Sequence, residues 1–180
     1  MSNQSTRANV RDWITLSTVM IGAVLTILAL IWQYPPNSKG IVSATFLLML
    51  SFIFFVNSVT TNSKANFEVN QGNIDERQIN RFLTFAEYSF GFGFTLVISG
   101  FTILGYKYLL DYAGRHLISL LLPITFLVSA WIIILIYNII NYADKPVKAI
   151  RSFKRNLWII LELICLVSIT FDFFEVILIP

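Results

Sequence analysis

Charge is what this sequence has least of. Only 13% of its 180 residues are Asp, Glu, Lys or Arg, while 56% are hydrophobic. A soluble domain carries about 25% charged residues, so a water-soluble fold of this size lacks the charge to cover itself. The single cysteine, Cys165, excludes an intrachain disulfide. It sits in an apolar run, where a free cysteine is a small packing residue. The single histidine, His116, excludes the usual clustered His/Cys metal sites. The chain also has no Walker loop, no Gly-x-Ser-x-Gly elbow and no His-Glu-x-x-His pair. No enzymatic reaction by the chain alone, and no cofactor, is therefore expected. A net charge of +3 offers little to a nucleic-acid partner.

What the sequence has instead is long apolar runs. Five segments stand out, at about 13–32, 41–60, 82–110, 117–140 and 157–179. An α-helix needs about 20 residues, at about 1.5 Å each, to cross a hydrocarbon core roughly 30 Å thick. All five segments reach that length. Lipid offers no partners to stray backbone groups, and none of the runs alternates as a barrel strand would, so helices are the expected form. The first run is too long for a cleavable signal core of about 7–15 residues, and it ends in Trp32-Gln33-Tyr34-Pro35-Pro36, an interfacial anchor followed by a turn. The expected fold is all-α, a polytopic transmembrane helical bundle with four spans. A fifth, C-terminal segment either spans or lies in the interface. Residues 1–180 read as a single integral membrane domain.

Orientation follows from the basic residues. Arg7, Arg11, Lys64, Arg77, Arg81, Lys145, Lys148, Arg151, Lys154 and Arg155 would share one side, against Lys39, Lys107 and Arg115 on the other. The positive-inside rule then places the N-terminus in the cytoplasm, most simply at the cell membrane. Within the polar stretch 62–81, Asn73 is expected to cap a third helix, with Asp75 and Glu76 in its first turn.

The fifth segment carries Glu162, Asp172 and Glu175. At about 100° per residue they fall within an arc of roughly 140°, together with Cys165 and Ser168. Ile159, Ile160, Ile164, Phe171 and Phe174 occupy the opposite arc. An in-plane helix usually presents Lys and Arg to anionic lipid, so an acidic face favours a span whose polar side meets protein or water.

Glu87 lies inside the third run, and an ionisable residue there is a functional candidate by default. The plainer reading pairs it with Arg81 or with the basic cluster at 145–155. Asn57 and Asn138 sit at the same expected depth, so Glu87, Asn57 and Asn138 form a candidate polar cluster or the inner mouth of a pathway. Glu162, Asp172 and Glu175 are the further acidic candidates. Close helix packing is expected at Gly22 on the first helix and at Ser89, Gly93, Thr95, Ser99 and Gly100 on the third, which have small-xxx-small spacing. Lys145, Lys148, Arg151, Lys154 and Arg155 are candidates for lipid headgroup contact.

Two functions fit. The first is a non-enzymatic accessory subunit of a larger membrane protein complex, with the bilayer and other membrane subunits as partners. The second is a homo-oligomeric cation channel or small transporter using the intramembrane carboxylates.

Overall fold

The computed structural model describes residues 3–35, 40–71, 76–141 and 153–180. The chain is an all-helical bundle, with no strand among the described residues. Its helices are α1 (Asn3–Gln33), α2 (Ile41–Gln71), α3 (Glu76–Ala113), α4 (Leu117–Asn141) and α5 (Phe153–Phe173). Three stretches are long and apolar enough to cross a membrane: Val10–Gln33, Ile41–Gln71 and Arg77–Ala113. The described apolar stretch of α4, Leu117–Ile133, is shorter. The chain is thus a membrane protein by the length and composition of its helices.

Two of the helices end well away from the ends of their apolar runs. α2 continues eleven residues beyond the apolar segment that ends near Thr60, reaching Gln71. The stretch Asn62–Gln71 contains no Gly or Pro, so nothing in it breaks a helix. At about 1.5 Å per residue α2 exceeds the roughly 30 Å hydrocarbon core, and its polar end belongs in water. The expected cap at Asn73 lies outside the described residues. α5 departs in the other direction: it starts at Phe153 and ends at Phe173, and residues 174–180 turn back instead of extending the helix to Ile179.

The chain forms two compact units, Met1–Gln33 with Leu48–Val97, and Tyr34–Leu47 with Ile98–Pro180. In the first unit the buried positions of α1 are Val10, Ser17, Val24, Leu28 and Ile31, with Ile14 and Ile21 half-buried between them. On α2 they include Leu48, Ser51, Phe55, Ser58, Asn62 and Ala65. Both rows alternate steps of three and four residues, the spacing of a left-handed coiled-coil seam. Serines along the seam let the helices approach, and Ser17 Oγ donates to Ser58 Oγ at 3.2 Å. On α3, the Phe-Gly-Phe-Gly-Phe stretch interlocks with these helices. Phe90 meets Trp13 edge-on and lies against Phe55, and Phe92 lies against Phe54. A Cβ on Gly93 would stand 3.2 Å from side-chain carbons of both Phe54 and Phe55, so a glycine there sets the approach of α2 to α3.

The second unit holds the C-terminal part of α3, then α4, α5 and the start of α2. α3 ends at Gly114, whose φ of +70° suits a residue without a side chain. Ser119 Oγ then donates to the Gly114 carbonyl at 2.9 Å, fixing the turn into α4. The buried row of α4 is Leu120, Pro123 and Leu127, and that of α5 is Glu162, Cys165, Ile169 and Asp172. α5 therefore buries its acidic face in protein and exposes Ile160, Ile164 and Phe171.

Candidate functional site: a buried carboxylate cluster

Asp172 is the centre of the densest polar arrangement in the second unit. It stands near the end of α5 and is 1% exposed. Lys107 of α3 reaches it with Nζ 3.0 Å from Oδ1 and 2.9 Å from Oδ2. The neighbouring Tyr106 donates its hydroxyl to Oδ2 at 2.8 Å. The backbone N–H of Ile179 donates to Oδ1 at 2.8 Å. An ionised carboxylate accepts at about four lone-pair positions, and these four contacts occupy them. Lys107 is itself buried, and its aliphatic stem lies across Gly40. A Cβ at Gly40 would stand 2.5–2.9 Å from three Lys107 side-chain carbons, and its φ of +128° also calls for glycine.

The end of α5 is built around the same cluster. Val176 N–H donates to Phe171 O at 2.9 Å and Glu175 N–H to Asp172 O at 3.1 Å, the two bonds of a Schellman cap. Glu175 occupies the left-handed position of that cap with a φ of +61°. Arg115 supports the cap, donating through Nη1 to Phe173 O at 2.7 Å and Asp172 O at 3.2 Å. Its Nη2 stands 3.2 Å from Glu175 Oε1 in an exposed pair. The chain then returns, so that Pro180 O accepts the Ser43 N–H of the first turn of α2 at 2.9 Å. That amide is one of the orphan donors every helix start must satisfy. Asp172 thus ties together α3, α5 and the returning segment, and the returning segment ties in α2.

A second buried carboxylate lies lower on the same face. Glu162, 1% exposed, accepts a hydrogen bond through Oε2 from Trp131 Nε1 of α4. Between the two carboxylates, Cys165 Sγ approaches the Ser99 carbonyl at 3.6 Å. Ser99 Oγ is buried without a partner among the described residues.

The three acidic residues of the fifth segment are therefore all engaged within the chain, on three different partners. Glu87 is exposed on α3. Asn57 donates through Nδ2 to Ser89 Oγ at 2.7 Å, joining α2 to α3. The side chain of Asn138 lies outside the described residues, as do Lys145, Lys148 and Arg151 and the side chains of Lys154 and Arg155. Ser89 and Gly93 face α2, and Thr95, Ser99 and Gly100 are buried. Gly22 is exposed, with open space where a Cβ would stand.

Sequence reasoning missed Lys107, Tyr106 and Trp131 as partners. Lys107 reads there only as an outer-side charge. The available signal was position: Lys107 lies three residues inside the end of its apolar run, and a lone lysine and a lone aspartate each set inside an apolar run are natural partners. Comparison with known protein families, with curated proteins and with solved structures finds no match.

Proposed function

We propose that the chain is a non-enzymatic, multi-pass subunit that gives structural support within a larger membrane protein complex. In this reading α4 and α5 also cross the bilayer, the N-terminus is cytoplasmic and the location is the cell membrane. The observation that carries the proposal is that Asp172, Glu162 and Glu175 are each engaged by a donor of the same chain. A cation pathway needs carboxylates that face a passage and release what they bind. The buried carboxylates held by Lys107 and Trp131 serve helix packing instead, and Glu175 pairs with Arg115 at the exposed end of α5. Support also comes from α1, whose Thr18, Gly22 and Thr26 lie exposed along one face and would let a neighbouring transmembrane helix approach closely.

The competing reading is a homo-oligomeric cation channel or transporter, and reconstitution separates the two. With the purified chain alone in liposomes, the proposal expects sodium, potassium, calcium and proton fluxes no greater than in empty vesicles. A flux that the chain induces, and that Glu162→Gln or Glu87→Gln abolishes, would replace the structural reading with the transport one.

A further inference from the structure

In the second unit, α3 and α4 leave an open slot between them with a volume of about 240 Å³. Phe101, Gly105 and Leu109 form one wall, and Leu122, Pro123 and Phe126 the other. Its origin is local. Gly105 has no side chain, and a Cβ there would meet nothing within 4 Å. Pro123 has no N–H to offer, and its ring is packed into the buried row of α4. The one hydroxyl at the slot, that of Thr102, is turned back to the Ile98 carbonyl at 2.7 Å. No other side chain of the lining carries a polar group.

We infer that this slot holds one acyl chain of a bilayer lipid. The residues at 101, 105 and 109 follow one another at helical spacing, so the slot runs along α3 for about 12 Å. That is the direction in which lipid chains lie, beside a helix long and apolar enough to cross the membrane. The slot is continuous with an apolar outer surface formed by Leu121, Leu122 and Phe126 of α4, all exposed. A partner helix fits it poorly. Close packing of transmembrane helices uses small residues, and the exposed face of α4 beside the slot presents Leu and Phe. What favours occupancy is dispersion: an empty slot leaves its walls without contacts on one side. The inference rests on the membrane-spanning character of α3 and not on the accessory-subunit reading, so the two fail separately.

The test uses the full chain in liposomes doped with phosphatidylcholine bearing a photoactivatable diazirine on one acyl chain. After illumination, labelled peptides are mapped by mass spectrometry. Labelling of residues 101–109 and 122–126 should exceed that of Leu16, Leu25 and Leu30, exposed apolar residues of α1, by several-fold. In Gly105→Leu the added side chain enters open space, and slot labelling should fall several-fold while α1 labelling is unchanged. Even labelling of all lipid-facing surfaces would overturn the inference. So would full slot labelling in a folded Gly105→Leu, or cross-links from slot residues to a second protein chain in place of lipid. If Gly105→Leu fails to fold, the ratio of slot to α1 labelling in the unmodified chain decides.

Discussion

A carboxylate moved into apolar surroundings loses its hydration and must recover it from fixed donors. Asp172 recovers it from Lys107, Tyr106 and the Ile179 amide. For such a pair the cost of removing one partner exceeds the worth of the pair itself, because the other charge is left stranded. Lys107→Met should therefore destabilise the protein by about 3–5 kcal/mol. Asp172→Asn in the same chain should return much of the loss, since an amide oxygen at the Oδ1 position still accepts from the Ile179 N–H while the NH2 at the Oδ2 position donates to the Tyr106 hydroxyl oxygen. Denaturation in mild detergent, run as a double-mutant cycle, measures this; single effects that simply add would contradict the ion pair. The pairing was only partly legible in the sequence. Periodicity alone places Glu162, Asp172 and Glu175 on one face of the last helix and assigns that face to protein or water; the structure buries Glu162 and Asp172 in protein, whereas Glu175 lies exposed beyond the end of the helix. The identity of the donors depends on which helices meet and at what height, which a one-dimensional pattern does not encode.

Helix ends show why hydropathy and helix length part company. An apolar run marks what lipid tolerates, whereas a helix ends where its backbone meets a breaker or a cap. α2 meets neither at Thr60 and continues to Gln71. α5 ends at Phe173, although the apolar pattern continues through Val176-Ile177-Leu178-Ile179, because the Schellman cap, Arg115 and Asp172 hold the chain in a turn. That turn forces Glu175, a residue with a Cβ, into a left-handed conformation at a cost of about 1 kcal/mol or more. Its exposed pairing with Arg115 offsets little of this. Glu175→Gly should accordingly leave the fold intact and raise its stability by about 1 kcal/mol, read as a shift in the same denaturation midpoint. A loss of stability would mean that the Glu175 carboxylate matters more than its backbone. The small-residue spacing of Ser89 and Gly93 was legible as close packing, and the structure identifies the neighbour as α2 through Phe54 and Phe55. The three-and-four spacing of the α1 and α2 seams was written in the sequence as well, but runs of uniformly apolar residues conceal which stripe faces inward.

On the scale of the whole molecule, the balance between charge and burial bears most on function. A chain so poor in charge keeps an Asp, a Glu and a Lys buried, and the described contacts engage all three inside the chain. The apolar side chains left exposed on all five helices suit lipid and neighbouring helices. The proposal of a supporting subunit rests on these engaged carboxylates. Gentle-detergent extraction from the native membrane, followed by mass spectrometry of the intact assembly, tests that claim most directly. The chain should travel with different membrane proteins in a fixed ratio; recovery only as copies of itself would overturn the supporting role.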